Sequence, residues 1–480
     1  MNILHVCSEF FPLLKTGGLA DVMAALPAAQ RRLTVDARIL LPGFPNIINH
    51  VPSKQKVTDL HSFAGNITLY YAVYDTIPLY IIDAPNLYDR PGSPYHDQNK
   101  IAYNDNHIRF ALLGFVACEL AKGCDSFWKP DIVHAHDWHA GLSCAYLAAN
   151  NYPAKCVFTI HNIAFPGMFS PHHLRELWLP DSFYNIDGLE FYGQISFLKA
   201  ALYYANHSTT VSPTYAQEIL NPRYSHGFDG LLQQRYHEHR FSGILNQVDE
   251  NIWAPDKDPL ITQPYSVRNL RDKIKNKQAL QQELGLPLLQ GSPLFTIVSR
   301  MSYQKGLDMV LEILPKMMDA GLQFVILGQG DPHLEHAFSQ LAYKYPNNMR
   351  AIIGYTEPES HRFIAGADIL MVPSRFEPCG LTQLYAQKYG TLPLVRRTGG
   401  LADTVTDCSL EAMATNQATG FVFNESTIHD LGNAIHRSLI LWKTQRKWRQ
   451  LQKSAMTKDF SWNTTAQSYI SLYNEILHKG

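Results

Sequence analysis

Along the first half of the chain, short runs of apolar and β-branched residues alternate with longer stretches in which apolar residues return every three or four positions. The short runs at 2–8, 37–41, 67–74, 79–83, 131–136, 155–161 and 207–212 predict strands, and the stretches at 18–30 and 102–122 predict helices among them. The scheme starts again in the second half, with strand runs at 294–300, 322–328, 349–353, 368–373, 393–396 and 420–423. These runs are nearly continuous in apolar residues rather than alternating, as parallel strands covered on both faces require. Two such series predict an α/β chain of two Rossmann-like domains. The join falls in GILNQVDENIWAPDKDP, residues 243–259, where Pro, Asp and Asn gather. This sets domains at 1–244 and 245–456. A charged segment at 268–282 predicts the helix that opens the second domain, and the tail from 457 to 480 ends in an amphipathic helix.

Bulk properties narrow the class. A chain of 480 residues exceeds one ordinary core, and 46% hydrophobic content with a net charge of −1 describes a globular protein without a basic field. Nucleic acid is therefore not an expected partner, and any bound anion must be held by local geometry. The longest apolar stretch, 110–121, contains Glu119 and is too short for a membrane span, and the N-terminus MNILHVCSEF reads as a strand rather than a secretory signal. Seven cysteines without a CxxC pair predict reduced, mostly buried thiols in a cytoplasmic protein.

The chemistry-bearing segments sit at predicted strand ends. KTGGLADV, residues 15–22, and RTGGLADTV, residues 397–405, share six letters after a cation, each between a strand and a helix. Paired glycines let backbone N–H groups approach an anion at a helix start, although shared turn chemistry accounts for such a repeat equally well. There is no GxxxxGK[ST], and no GxGxxG after the first strand, so nucleotide-triphosphate and dinucleotide loops are not expected. HAHDWHAG, residues 134–141, crowds three His and one Asp together, but its spacing is not that of a metallohydrolase and no HExxH accompanies it. A hydrogen-bonding cluster at a strand end fits better than a metal site. In SRMSYQKG, residues 299–306, Arg300 and Lys305 suit a phosphate group before a helix; a solvated turn is the plainer alternative. In PSRFEPCGLTQ, from residue 373, Glu377 is either a helix-start carboxylate or a sugar ligand.

Taken in order, KTGGLAD, HAHDWHAG, TIHNIAFPG, LNQVDENIWAP, SRMSYQKGLD and PSRFEPCGLTQLYAQKYGTLPLVRRTGGLADTV resemble bacterial ADP-glucose-dependent glycogen synthases and plant starch synthases across nearly the full chain. The resemblance implies a GT-B type glycosyltransferase fold, two Rossmann-like domains facing across a deep cleft, with the C-terminal helix 457–480 crossing back to the first domain. It implies retaining transfer of glucose from ADP-glucose to the non-reducing end of an α-1,4-glucan, with neither cofactor nor metal. Lys15 and Gly18 then match the loop near the donor diphosphate, Arg300 and Lys305 the pair on the distal phosphate, and Glu377 the carboxylate meeting the donor sugar. Leu381 and Thr382 match a helix start aimed at ribose and phosphates, Tyr355 a position near adenine, His161 the histidine beside the sugar, and Asp137 a required acid. Tyr95, Trp138, His139 and Asn162 match acceptor-side positions.

Two departures stand out. Gln247 replaces a glycine common at the join, and Tyr385 stands where many retaining transferases carry a second Glu. A UDP-glucose-using transferase and a non-catalytic glucan or nucleotide-sugar sensor are the rival readings. Oligomeric state, glucan chain length and allosteric control have no signature in the residues.

Overall fold

The computed structural model describes residues 1–289 and 291–478. The chain divides into two compact units, one of residues 1–246 with 462–480 and one of residues 247–461.

In the first unit β1 (Asn2–Val6), β2 (Asp36–Pro42), β3 (Gln55–Ser62), β4 (Gly65–Tyr74), β5 (Ile77–Asp83), β6 (Ile132–His136) and β7 (Lys155–Ile160) are followed by three short strands, β8 (Met168–Phe169), β9 (Glu190–Phe191) and β10 (Gln194–Ser196). β11 (His207–Thr210) and β12 (Phe241–Gly243) complete it. The main sheet has the order β12-β11-β7-β6-β1-β2-β5-β4-β3, while β8, β10 and β9 form a separate small sheet. From β5 to β12 neighbours run parallel, and β3 and β4 add an antiparallel edge. The order reverses direction between β1 and β6. Open parallel sheets bind ligands beyond the strand C-termini at such a reversal.

Apolar burial explains the central strands: β1, β6 and β7 are buried almost throughout. β3 escaped the sequence reading because QKVTDLHS is largely exposed at the sheet edge and carries no apolar run. Helix Gly18–Arg32 buries Leu19, Val22, Met23, Leu26 and Ala29 along one face, and helix Asn106–Lys122 buries nearly every residue from Phe110 to Ala121. The C-terminal helix Trp462–His478 turns Trp462, Ala466, Tyr469, Ile470 and Tyr473 into the same core. Thr465 Oγ1 of that helix donates to the Leu245 carbonyl at 2.7 Å.

The second unit is a six-stranded parallel sheet of β13 (Leu294–Val298), β14 (Gln323–Gly328), β15 (Met349–Ile353), β16 (Ile369–Val372), β17 (Leu392–Arg396) and β18 (Phe421–Phe423). Its order, β15-β14-β13-β16-β17-β18, reverses between β13 and β16. Apolar clusters occupy both faces, one carrying Phe295, Ile297, Val310, Leu314, Phe324 and Ile326, the other Leu294, Val325, Phe363, Leu370, Leu384 and Tyr389. The charged segment at 268–282 forms a short 3-10 turn, Leu270–Asp272, and then helix Lys273–Glu283.

One expectation changes, and one of the two departures carries no strain. The cysteines are not all reduced: Cys144 and Cys156 lie on adjacent elements with Cα atoms 5.6 Å apart and are joined as a disulfide, while Cys7, Cys118, Cys124, Cys379 and Cys408 are free thiols. Gln247 is not among the residues with positive φ, so its replacement of glycine places no left-handed strain on the join. Among the described residues no helix is long and apolar enough to cross a membrane.

Candidate active site

The first unit places one set of groups at the ends of β1, β6 and β7. The turn after β1 brings in Glu9, 3% exposed, and the carboxylate organises the KTGG loop. Its oxygens accept the Thr16 N–H at 2.6 Å and the Gly17 N–H at 3.2 Å, and also take the Thr16 hydroxyl and the Tyr95 phenol. Ser8 Oγ lies 2.9 Å from the same phenol oxygen. Tyr95, expected on the acceptor side, is thus a brace for Glu9, and its ring stacks on His139 at 4.7 Å between centroids. Lys15 is held by Asp21 in the first turn of the following helix, Nζ to Oδ1 2.9 Å, and lies 5.2 Å from the Phe11 ring centre. Gly18 begins that helix.

β6 delivers Asp137 directly as the first residue of the short helix Asp137–Ala140, with φ of 56°. Its Oδ1 accepts the backbone N–H of His161 at 2.7 Å and of Asn162 at 3.3 Å, tying the end of β6 to the loop after β7. Burial pushes the Asp137 carboxyl up to about 7, the two N–H groups opposing and the Glu9 charge adding to the rise. Asn162 turns its own Oδ1 to the Ala164 N–H at 3.0 Å. Trp138 packs edge-on to Phe110 at 4.9 Å and covers Gly167, where a β-carbon would meet the indole. His139 is buried and its Nδ1 has no hydrogen bond among the described residues; burial pushes it down to about 3.

The histidines of HAHDWHAG do not assemble as ligands of an ion. His5, His134 and His136 come together, but every one of their six ring nitrogens already faces a protein partner. His161 Nε2 joins the same set at 3.0 Å from His136 Nδ1. A second group, His107, His173 and Glu176, lies nearer the surface, both rings meeting one carboxylate oxygen at 3.1 and 3.0 Å.

In the second unit the groups gather at the ends of β13, β16 and β17. Arg300 follows β13, is exposed, and its guanidinium has no partner among the described residues. Lys305 closes a single 3-10 turn before helix Leu307–Asp319 and pairs with Glu377, Nζ to Oε2 2.6 Å. The same oxygen accepts Ser374 Oγ at 2.8 Å. Arg375, the neighbour of Glu377 in sequence, is used elsewhere: both its terminal nitrogens reach Asp308 at 2.7 Å, over the Tyr303 ring. Leu381 and Thr382 open helix Thr382–Lys388, and Tyr385 stacks on Trp253 at 3.8 Å, so an aromatic contact fills the place of a second carboxylate. Tyr355, 42% exposed beyond β15, donates to Glu357 at 2.8 Å.

The second TGGLAD segment shapes this set without supplying its cation. Gly399 has φ of +44°, and a β-carbon there would overlap the Glu377 carbonyl oxygen; the Gly400 N–H bonds that oxygen at 3.1 Å. The loop carrying Glu377 rests on these two glycines. Arg397 itself turns to Asn424 at 2.9 Å.

Sequence reasoning missed Glu9, Ser374, His5, Gln30 and Tyr473. Ser374 stood inside PSRFEPCGLTQ but carried no signal beside the charged Arg375 and Glu377, and Glu9, His5, Gln30 and Tyr473 lie in segments without a motif of their own; the polar Ser8–Glu9 pair just past an apolar strand was the one available signal for Glu9.

Two switch-point sheets, one ending in a carboxylate-held glycine loop and the other in a cation–carboxylate pair, belong to a glycosyltransferase of the GT-B class. Residues 2–234 match the family described as starch synthase catalytic domain, and residues 281–454 that described as glycosyl transferases group 1. A glycogen synthase of Serratia proteamaculans (strain 568) is 59% identical over 476 residues, covering 99% of this chain and 100% of that protein. The chain belongs to the glycogen and starch synthase family of glucosyltransferases. Among solved structures, the catalytic domain of starch synthase IV from Arabidopsis thaliana, bound to ADP and acarbose, matches with a TM-score of 0.91 at 30% identity over 99% of both chains. A sucrose-phosphate synthase from Thermosynechococcus elongatus matches at 0.57 and 14% identity, covering 100% of this chain and 99% of that one, and shares the fold alone.

Proposed function

We propose that this chain is a cytoplasmic, retaining glucosyltransferase that moves glucose from ADP-glucose to the non-reducing end of an α-1,4-glucan. The observation that carries the reading is the full-length identity of 59% to a glycogen synthase; the ADP and acarbose bound to the plant relative agree with it. The second unit holds the nucleotide sugar and the first unit the glucan.

Cleavage of the sugar–phosphate bond leaves roughly one further negative charge on the departing oxygen, and fixed cations placed where that charge grows lower the barrier most effectively. Arg300 is open for this role. Lys305 and Lys15 are held by Glu377 and Asp21, so engaging phosphate exchanges a carboxylate partner for a phosphate one. Leu381 and Thr382 present a helix start to ribose and phosphates, and Tyr355 offers an exposed ring to adenine. Glu377, fixed by Lys305 and Ser374, meets the sugar as a hydrogen-bonding carboxylate rather than a nucleophile. Asp137 and His161 line the sugar from the first unit, with Trp138, His139 and Asn162 shaping the glucan side and Tyr95 bracing Glu9. Retention follows from same-face attack: the acceptor hydroxyl bonds to the anomeric carbon as the phosphate oxygen leaves, and that oxygen takes the hydroxyl proton.

The test is incorporation of labelled glucose into glycogen from ADP-glucose and UDP-glucose side by side, with chelator present. Preferred incorporation from ADP-glucose is expected. Preference for UDP-glucose overturns the donor assignment, and binding of both without incorporation makes the protein a sensor.

A further inference from the structure

The buried histidines of the first unit form one continuous hydrogen-bonded chain with two self-consistent proton orders, and the Phe158 carbonyl at its inner end selects one of them. At the inner end the Phe158 carbonyl can only accept, and Thr209 Oγ1 lies 3.5 Å from it. A Thr209 hydroxyl that donates to this carbonyl receives the Thr159 proton across 2.7 Å. With that proton used, His134 Nε2 must donate to Thr159 at 2.7 Å, which leaves His134 Nδ1 to accept from the Tyr473 phenol at 2.6 Å. The phenol oxygen in turn accepts from Gln30 Nε2 at 3.2 Å, so the Gln30 Oε1 faces His5 Nε2 at 2.7 Å and accepts its proton. His5 Nδ1 is then the acceptor for His136 Nε2 at 3.0 Å, and His136 Nδ1 for His161 Nε2 at 3.0 Å. Gln30, His5, His134 and His136 are all fully buried. Burial pushes His5 down to about 4 and His161 to about 3, and His134 and His136 well below the usual histidine range, so all four rings are neutral at neutral pH. A neutral ring carries one N–H, so one fixed partner decides the role of its other nitrogen.

We propose that Gln30, His5 and His136 are positioning residues that hold His161 in its Nε2–H tautomer, presenting a bare Nδ1 that accepts a hydrogen bond from a sugar hydroxyl. His161 is only partly buried, and its Nδ1 has no protein partner among the described residues. The claim rests on the reading of His161 as a sugar-facing residue. It adds a direction of donation, and through Tyr473 it links that direction to the C-terminal helix Trp462–His478. Gln30 is the pivot, because its amide faces both arms of the chain. Without it, His5 is free to carry its proton on Nδ1, which turns His136 and then His161 to the opposite tautomer.

The tautomer is read directly by nitrogen-15 NMR of histidine-labelled protein, with His161 assigned by its absence in His161→Ala. In the ligand-free wild type the expected spectrum has Nε2 protonated and Nδ1 unprotonated; the reverse overturns the proposal, and this measurement needs no variant of the chain to fold. Gln30→Leu should shift His161 toward the Nδ1–H form, and Gln30→Glu, which restores an acceptor to His5, should return it. An unchanged tautomer in a folded Gln30→Leu protein overturns the role of Gln30. The kinetic readout uses ADP-glucose carrying fluorine in turn at C2, C3, C4 and C6, since fluorine cannot donate. Wild type should discriminate against one position by about tenfold more than Gln30→Leu does, the size of one hydrogen bond. Equal discrimination at every position, with the tautomer as stated, overturns the sugar-facing role of Nδ1 while the proton order of the chain stands.

Discussion

Asp137 offers the sharpest test of the electrostatics at the end of β6. The carboxyl is partly buried and is pushed by that burial from its ordinary 3.8 up to about 7. In the unfolded chain the group ionises near its ordinary value. Between pH 4 and 7 the folded state therefore holds a proton that the unfolded state has lost, and stability must fall as pH rises through that window. At about 1.4 kcal/mol per pH unit, the separation amounts to about 4 kcal/mol between the two ends of the window. Asp137→Asn isolates this contribution. The amide keeps an oxygen for the His161 and Asn162 N–H groups, and the position of Oδ2, which has no hydrogen-bond partner among the described residues, takes the NH2. Unfolding measured by calorimetry from pH 4 to 8.5 should show the difference between variant and wild type growing in the variant's favour, by about 4 kcal/mol in total. All other groups titrate alike in the two proteins and cancel. Parallel stability curves would refute the claim that Asp137 is held protonated at acid and mildly acid pH. The same substitution should remove from the rate profile any rise centred near pH 7, because an amide has no proton to lose.

The cations give coarser tests. Lys15→Gln and Lys305→Met should each lower kcat/KM by roughly 100- to 1000-fold, the usual cost of one charge-stabilising donor, and near-wild-type rates would exclude a role on the diphosphate. Gly399→Ala adds a left-handed strain of about 1–2 kcal/mol to an overlap with the Glu377 carbonyl that only a backbone shift relieves, and should lower the melting temperature of the second unit by at least about 2–8 °C together with activity. Gly17→Ala in the first copy meets no atom within 4 Å and should melt within a degree of wild type. Treatment with EDTA should leave turnover unchanged, since the leaving charge is met by side chains; a loss restored by a divalent cation would show that they are insufficient.

Much of this architecture was legible because parallel strands buried on both faces announce themselves as apolar runs. Every strand expected in the second unit is present, and the missing strands of the first are those without that signature: the exposed edge strand β3, the two- and three-residue strands of the small sheet, and β12, three residues long. Site residues were legible where function concentrates letters in one segment, as in HAHDWHAG and SRMSYQKG. They were not legible where a single residue acts across long sequence separations. Glu9 meets Tyr95, 86 positions away, and His134 meets Tyr473, 339 positions away. No local pattern marks such a contact, because its cause is the packing of whole elements. The disulfide was hidden for the same reason: Cys144 and Cys156 are 12 apart in a spacing that names no motif, and only the helix–strand packing brings them together.

The two TGGLAD copies show how little an identical stretch of letters determines by itself. Each begins a helix beside the C-terminal end of a central strand. In the first, Gly17 is extended at φ −158° and open to its surroundings, and the loop is shaped from outside by the Glu9 side chain, whose oxygen accepts the loop N–H groups. In the second, Gly399 is left-handed and pressed against the Glu377 main chain, so the glycines are the support and the carboxylate is freed to face Lys305 and Ser374. The roles of loop and acid are exchanged. In one unit a glutamate positions the glycine loop that carries Lys15; in the other a glycine loop positions the glutamate that holds Lys305. The cation before each copy follows that exchange, Lys15 remaining beside its loop and Arg397 turning away to Asn424. On the proposed function, the working charge is assigned by this exchange to Lys15 in the first copy and to Glu377, not Arg397, in the second.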